Sequence, residues 1–501
     1  MMAGVPEEIR AVERPKNTIV QASVNKHGEA RYLVRSRKGS TYKDGRSSPV
    51  NGGVVGYIID GRFVPRDEPH PIEPDEVDMR TWAFERVSVD ITKDILDDLR
   101  AFYDEKDAEM IYTMALLRAR SPGLRDSRMN RDYIESDVSV MFPSLPMSRN
   151  SISLFLQTIG KAGGRIQGFL KARVSRLLPG TRVAVDGTLI QDDSEVNNLS
   201  NLSRKSKVRG SKDLSTLYAY SIDDLEPVTY CVYPGNVLDS KAYSDFIDMN
   251  NLDNVILVGD KAFTLNAARE AIADHRGLRF LFPIRRNSNA IARLDLLKYD
   301  NSLTTYEGVS YRVAHDTESN LWYYSFRDAD RAAKEEKDFL ASARKSNKGL
   351  NSDEMSKRMQ RFGTLILESD LEMTPEQVYG IYKDRWLIEE LFRLFKNIED
   401  MDDTRVQSDY SVLGTQFINF ISTVITSRLI RHVDSKGLLN KYCFGEVLII
   451  LSKTLKLRGP DGEWIYRALI DREKDVLRDL DLIPKLKPKR GPGRPPKNHP
   501  A

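Results

Sequence analysis

A succession of strand-like and helical runs between residues 182 and 285 constrains the fold more than any other feature of the chain. Three strand-like runs come first: RVAVDGTLI, TLYAYSID and PVTYCVYPGN. They are followed by a helical run (SKAYSDFIDMNNL), a short buried strand (NVILVGD), a second helix (LNAAREAIADHR) and a further strand (LRFLFPIR). This order of elements predicts an α/β domain whose sheet has mixed strand directions.

Cysteine and histidine content limits the metal chemistry that is open to the chain. The two cysteines, Cys231 and Cys443, cannot build a disulfide framework or a zinc site, and the six histidines are scattered. Any metal site must therefore use oxygen ligands. The net charge is only +3, so affinity for nucleic acid has to be sought in the distribution of the charges.

Two stretches of the sequence bear on whether the chain carries a secretory signal or a membrane span. The N-terminal stretch MMAGVPEEIRAVERPKN has no apolar core of the kind that a secretory signal requires. The most apolar stretch, from Val412 to Ile430, is interrupted by polar residues and has its apolar residues at helical spacing. We interpret it as a buried core helix and not as a membrane span. A reducing cytoplasm, bacterial or archaeal and close to the nucleoid, is the expected location.

The stretch YKDRWLIEELFRLFK, residues 382–396, predicts a helix with an unusual ridge of functional groups. At about 100° per residue, its Tyr382, Arg385, Glu389 and Lys396 fall within an arc of roughly 60°. Leucine, isoleucine and phenylalanine side chains occupy the far side, as expected of a core-facing stripe. A salt-bridged surface face is the simpler alternative. However, arginine before glutamate is the weaker order for a pair four residues apart, so charge pairing explains the ridge poorly.

Two aspartates stand in predicted strands of the mixed sheet. Asp186 lies inside RVAVDGTLI, where an unpaired buried carboxylate would be costly, and Asp260 ends NVILVGD. The edge at which such strands end is where α/β sheets place ligands. With Glu389 as a third carboxylate, the set suits Mg²⁺, which prefers oxygen ligands. Two such ions can assist a displacement at phosphorus.

Three motifs resemble those of the DDE transposases of bacterial insertion sequences. They are D-G-T at Asp186, D-K-A-F at Asp260, and Y-x2-R-x3-E-x6-K from Tyr382 to Lys396, which is similar to the Y-R-E-K motif of one group. The resemblance covers roughly residues 180 to 430, and Ala262 stands where the family often has glycine. It implies a ribonuclease H-like fold in which Asp186, Asp260 and Glu389 bind two Mg²⁺ ions, with Mn²⁺ as a substitute. In some relatives, the motif's tyrosine and arginine handle a 5′ phosphate.

The resemblance and the sequence pattern together predict a ribonuclease H-like mixed-sheet catalytic domain with a β-rich insertion, an α+β N-terminal region and a disordered basic tail. The predicted regions are 1–90, β-rich; 91–180, helical and DNA-binding; 181–286, first part of the catalytic domain; 287–361, insertion; 362–433, second part of the catalytic domain; 434–483, C-terminal helices; and 484–501, a basic proline-rich tail.

Three basic segments are candidates for DNA contact. The loop SRKSKVRGSK, which contains Arg204, Lys205, Lys207 and Arg209, either clamps the DNA backbone or is a plain exposed charge run. The acid-free stretch 151–185 offers either phosphate contacts or a solvated helix face. In the tail, KRGPGRPPK resembles an AT-hook whose Arg494 would enter the minor groove, although Pro492 departs from the usual pattern. The alternative is a generic solubilising tail.

These features predict a transposase that binds the terminal inverted repeats of its own element. It would cut double-stranded DNA to free a 3′-OH, which then attacks target DNA, and pairing of two ends favours a homodimer on DNA. Two alternatives remain open: a DDE-type nuclease without strand transfer, and a catalytically inactive DNA-binding protein derived from a transposase.

Overall fold

The computed structural model describes residues 4–24, 30–43, 45–66, 78–192, 194, 196–203, 206, 210–237, 239–259, 266–345, 352–385, 403–404, 408–459 and 462–485. The chain forms two compact units, Met1–Glu76 and Val77–Ala501.

The first unit is a short helix followed by a four-stranded antiparallel sheet. The elements are α1 (Glu7–Ala11), β1 (Thr18–Val24), β2 (Ala30–Lys43), β3 (Arg46–Ile59) and β4 (Arg62–Pro65). The strands lie in the order β1-β2-β3-β4, so each pairs with its neighbour in sequence. The β-prone runs of this region therefore form a meander, which is the simplest sheet that short connections allow.

The second unit begins with a strand and a group of helices. These are β5 (Asp78–Thr81), α2 (Ala83–Ile91), α3 (Lys93–Arg100), α4 (Glu105–Arg120), α5 (Asp126–Ile134), α6 (Val138–Met141), α7 (Arg149–Lys161) and α8 (Gly163–Val174). The same helical layer is completed by the C-terminal elements: α15 (Asp409–Ser435), a 3-10 turn (Leu438–Asn440), α16 (Phe444–Ser452), β17 (Leu455–Arg458), β18 (Trp464–Tyr466) and α17 (Asp471–Asp479). Strand β5 pairs with β17, which joins the start of this unit to its end.

The middle of the second unit contains the large mixed sheet. Its elements are β6 (Arg182–Asp192), β7 (Asn201–Leu202), β8 (Lys212–Ser221), β9 (Glu226–Pro234), α9 (Asp239–Asn250), β10 (Ile256–Val258), α10 (Asn266–Asp274), β11 (Arg279–Pro283), α11 (Asn289–Arg293), β12 (Asn301–Ser302), β13 (Val309–Asp316), β14 (Leu321–Asp328), α12 (Ala329–Lys345), α13 (Ser352–Met359), β15 (Thr364–Ser369), helix α14 over 375–385, and β16 (Asp403–Thr404).

Strand directions confirm the predicted mixed α/β, ribonuclease H-like sheet. Strands β6, β8 and β9 are consecutive antiparallel neighbours. Strand β10 then lies parallel to β6 on its other side, and β11 lies parallel to β10. The five strands therefore stand in the spatial order third, second, first, fourth, fifth. The two parallel strands each follow a helix, because a parallel neighbour requires a long crossover connection.

The inserted segment extends this sheet. Strand β15 pairs antiparallel with β11, and β14 and β13 continue antiparallel beyond it. Helix α12 is anchored beside these strands by Glu335, whose carboxylate accepts from Arg286 at 2.9 Å and from the Gly363 N–H at 3.0 Å. The segment predicted as an insertion is thus held to the edge of the mixed sheet by backbone pairing and by an ion pair.

Helix α15 is the central element of the helical layer, and the stretch Val412–Ile430 within it is a buried core helix, as predicted. Among the described residues, no helix is long and apolar enough to cross a membrane. Glycines let α7 and α15 touch through their backbones. A Cβ at Gly160 would stand 1.8 Å from the Tyr410 carbonyl oxygen, and one at Gly414 would stand 2.1 Å from the Leu156 carbonyl oxygen.

Where the helical layer meets the sheet, three arginines converge on one carboxylate. Glu226, the first residue of β9, accepts from Arg173 at 2.7 Å, from Arg428 at 2.9 Å and from Arg431 at 2.7 Å. Arg428 also donates to Asp94 on α3. Burial by itself raises the pKa of Glu226, but Arg173 and Arg428 outweigh it and lower that pKa below the ordinary value. Glu226 is therefore ionised throughout the neutral range.

Replacing Gly414 by alanine should destabilise the second unit by about 2 kcal/mol, because overpacking a close helix contact exceeds the gain in helix propensity. The measurement is urea unfolding followed by circular dichroism. Gly164→Ala is the matched control, since a Cβ there meets nothing within 4 Å and the change should be neutral or slightly stabilising. Equal stability of the two variants would contradict the close contact.

Replacing Glu226 by glutamine should lower the free energy of unfolding at pH 7 by about 3 kcal/mol, because it leaves three partly buried arginines without this buried carboxylate. The lowered pKa in the folded state fixes the sign of the pH dependence. The stability supplied by Glu226 is present above the unfolded pKa and is lost as pH falls through the folded pKa. The difference between wild type and variant should therefore shrink below about pH 4.5.

The control for that change is Glu105→Gln. Glu105 pairs with Arg100 at the surface, where its side chain is 62% exposed, so its loss should cost at most about 1 kcal/mol. A Glu226 variant no less stable than the Glu105 variant at pH 7 would rule out a structural role for the cluster.

Candidate active site

Asp186 lies where strand β6 emerges from the core. The preceding residues Val183–Val185 are buried, whereas Asp186 is partly exposed and Gly187 is exposed. One carboxylate oxygen, Oδ1, accepts from the Gly187 N–H at 2.9 Å. The sequence led us to expect a carboxylate inside a buried strand. The structure instead places it at the first solvent-accessible position, which reduces the cost of keeping it charged.

The register of the parallel strands relates Asp186 to the second predicted aspartate. Val258, the last residue of β10, pairs with Ala184 of β6. Asp186 follows Ala184 by two residues in the sequence, and Asp260 follows Val258 by two residues. The two aspartates therefore have the same sequence offset from a paired position, although Asp260 itself lies outside the described residues.

The sequence TPEQ predicts a helix with Thr374 as its N-cap and Pro375 at the first helical position, and α14 begins there. The Gln377 N–H donates to Thr374 Oγ1 at 3.3 Å and the Thr374 N–H donates to Gln377 Oε1 at 3.0 Å, which is a capping box. Tyr379 donates to Asp328 of β14 at 3.1 Å. Burial, and then the neighbouring Asp328 carboxylate, raise the pKa of Tyr379. Its hydroxyl therefore stays protonated and remains a donor to β14.

An arginine joins helix α14 to the strand that carries Asp186. Arg182, at the start of β6, donates through Nη1 to Asp384 at 2.9 Å and through Nε to Asp223 at 2.7 Å. Asp384 directly precedes Arg385 on the helix. This bridge fixes the helix relative to β6. Sequence reasoning missed it, because it treated Arg182 only as one of several basic residues and gave Asp384 no role.

Two residues of the predicted ridge are described. Tyr382 is partly buried and packs against the main hydrophobic core, while Arg385, one turn further on, is partly exposed. The other predicted site residues lie outside the described part of the chain: Asp260, Glu389, Lys396, Arg204, Lys205, Lys207, Arg209 and Arg494. Within the described part, no group of three histidine, cysteine, aspartate or glutamate residues is placed to hold a metal ion.

Three of the six basic residues in the acid-free stretch 151–185 form ion pairs that its sequence did not suggest. Arg173 pairs with Glu226 at 2.7 Å, Arg176 pairs with Asp98 at 2.5 Å, and Arg182 forms the bridge described above. The carboxylate partners come from other parts of the sequence, so a count of local charge could not find them. These three arginines link separate segments of the fold through ion pairs.

Comparison with known families gives one match. The family of the transposase DDE domain matches residues 179–412, a range that begins just before β6 and ends within α15. This match confirms the family resemblance that the motifs predicted, while the narrower group with the Y-R-E-K motif stays a prediction.

No curated protein matches the chain. Two solved structures are similar at low levels. A piggyBac transposase synaptic complex with hairpin DNA is 12% identical with a TM-score of 0.39, and the likeness covers 81% of this chain and 87% of that one. A Mos1 transposase paired-end complex with the left transposon end is 14% identical with a TM-score of 0.14, covering 31% and 58%. At such TM-scores, neither likeness carries weight for function.

Proposed function

We propose that this chain, whose residues 179–412 match the transposase DDE domain, is a transposase that binds the ends of its insertion sequence and catalyses metal-dependent DNA cleavage and strand transfer. The observation that carries the proposal is the pairing of Ala184 with Val258 in parallel strands of that domain. Asp186 and Asp260 follow these two residues at the same offset, as two ligands of one site would.

The residues proposed to hold two Mg²⁺ ions are Asp186, Asp260 and Glu389. All three offer oxygen donors, which Mg²⁺ prefers. Asp186 is partly exposed, so an ion can reach its carboxylate. When bound, the ions would stabilise the attacking and leaving oxygens of a displacement at phosphorus. Mn²⁺ has compatible ligand preferences and is a reasonable substitute.

The chain's own contribution is to position the DNA phosphate beside these carboxylates. Arg385 offers a planar, bidentate fork to phosphate oxygens. The bridge from Arg182 to Asp384 holds the adjacent turn of α14 against β6, so Arg385 is carried on a helix fixed relative to Asp186. Tyr382 is held by packing against the core, and its hydroxyl is proposed to contact phosphate as well.

A plasmid assay separates the proposal from its two alternatives. Purified protein is incubated with Mg²⁺ and a supercoiled plasmid that carries the element's ends. Transposition predicts nicked or excised products together with joined products. Nicking without joined products would favour a DDE-type nuclease, and binding without cleavage would favour an inactive DNA-binding protein.

Asp186→Asn, Asp260→Asn and Glu389→Gln should each abolish cleavage while DNA binding stays nearly unchanged, because ion coordination is lost and phosphate contacts remain. Cleavage of the plasmid and binding of a labelled end duplex are measured side by side. Matched controls are Asp274→Asn and Glu270→Gln, which alter exposed carboxylates on α10 and should cleave like wild type. A site variant that keeps more than a few per cent of wild-type cleavage would remove that residue from the site.

Arg385→Lys keeps the charge and loses the bidentate fork, so it should slow cleavage at least tenfold, which corresponds to roughly 1.4 kcal/mol of transition-state stabilisation. Lys396→Arg should be milder, because a point charge is more easily replaced. The control is Lys383→Arg, since the Lys383 ammonium lies 5.6 Å and 5.4 Å from the ring centroids of Tyr306 and Tyr379 and an arginine can make the same contact. Wild-type cleavage by Arg385→Lys would assign the ridge to surface charge pairing.

A further inference from the structure

The first unit contains a two-stranded ribbon that extends beyond its four-stranded sheet. Strand β2 pairs with β1 only as far as Ser36, and β3 pairs with β4 only from Gly56 onward. Beyond these limits, β2 and β3 pair with each other from Arg37 opposite Asn51 to Lys43 opposite Arg46, apart from one backbone hydrogen bond that the Arg37 N–H donates to the Asn17 carbonyl. We call residues 37–51 the β-arm. At about 3.3 Å per residue, its paired strands are roughly 20 Å long.

The β-arm buries nothing of its own. Every described side chain from Arg37 to Asn51 is exposed, and Tyr42 is 77% exposed. A two-stranded hairpin is marginally stable in water without a hydrophobic face to bury. Its sequence is rich in serine and threonine and does not alternate apolar with polar residues, so it lacks the pattern of a strand that packs on a core. A partner is therefore needed to explain why this segment is extended and paired.

The charge of the β-arm identifies the chemistry of that partner. From Arg37 to Asn51 the sequence has four basic residues (Arg37, Lys38, Lys43 and Arg46) and one acidic residue, Asp44, which gives a net charge of +3. Lys43 and Arg46 pair with each other beside the turn, and both are basic. Among the described residues, no carboxylate forms an ion pair with Arg37, Lys38 or Arg46. An extended polyanion would complement this surface.

A bare ribbon can also pair with a strand from a second copy of the chain. Two features of the β-arm disfavour that partner. Pro49 lies in β3 opposite Ser40 and has no N–H to donate to an added strand. The register of β2 and β3 is irregular between Arg37 and Gly39, and such a bulge twists the ribbon away from a flat edge. The edges of the β-arm are thus poor templates for β-sheet extension, while its faces remain open.

We infer that the β-arm is a DNA-binding element that inserts into the major groove of duplex DNA. The major groove is about 12 Å wide and admits a two-stranded β-ribbon, whereas the minor groove, about 6 Å wide, accepts one only when the duplex is bent and the groove widened. Arg37, Lys38 and Arg46 bind phosphates that border the groove, and Tyr42 and the arm's hydroxyl groups face the base edges. This inference rests on the proposed function, because a transposase must bind duplex DNA.

The test uses the full chain and a fluorescein-labelled duplex of 30 base pairs with random sequence. The triple variant Arg37→Gln, Lys38→Gln, Arg46→Gln should raise the Kd at least tenfold at about 100 mM salt, and should reduce the slope of log K against log salt by about 3. Methyl green, which occupies the major groove, should weaken wild-type binding and should have less effect on the variant.

The charge-matched control is Arg276→Gln, Lys334→Gln, Arg361→Gln, which removes the same three charges from exposed positions of the second unit. It should bind within about twofold of wild type. Circular dichroism of both variants should be unchanged, because all six side chains are exposed. Equal loss of binding in the two triple variants, or wild-type binding by the β-arm variant, would overturn the inference. Failure of the wild-type protein to bind the duplex would instead contradict the proposed function.

Discussion

The ion cluster around Glu226 is the constraint on which the arrangement of the second unit depends. Glu226 opens strand β9, while its arginine partners come from helices α8 and α15 and Arg428 continues to Asp94 on α3. Three elements thus meet at one carboxylate, and Arg428 joins a fourth, α3, to them. A cluster of this kind adds little net stability compared with apolar packing, but it penalises any arrangement that leaves one of its charges alone. Its proposed role is therefore to specify how the helical layer lies on the sheet.

A smaller group of ion pairs, centred on Arg182, lies beside the candidate site. Arg182 pairs with Asp223 and Asp384 at once, so the strand carrying Asp186 and the helix carrying Arg385 are linked by a bridge that lies outside the predicted motif residues. The proposed positioning of phosphate by Arg385 would need such support, since small displacements of catalytic groups reduce rates strongly. Helix α15 contacts α7 through the backbone, because Gly160 and Gly414 have no side chains to hold the two helices apart.

Basic residues of two described stretches lie in two kinds of surroundings, either paired with carboxylates or exposed on the β-arm. Arg173, Arg176 and Arg182 come from an acid-free stretch, yet each is paired with a carboxylate from another part of the chain. Arg37, Lys38 and Arg46 come from a stretch of similar composition, yet they stand on an exposed ribbon with no ion pair to a described carboxylate. Both stretches are basic, and only their three-dimensional surroundings distinguish the basic residues that form ion pairs from those proposed to contact DNA.

Sequence by itself determined the elements and their order. Periodicity defined the strands of the mixed sheet, the buried helix from Val412 to Ile430 and the cap at Thr374, because these depend on residues near each other in the chain. It also carried the motifs that predict Asp186, Asp260 and Glu389 as ligands. Tertiary structure alone decided the register of Ala184 with Val258, the exposure of Asp186 and the partners of Arg182, because each depends on atoms brought together from distant segments. Such contacts leave no periodic trace in the sequence.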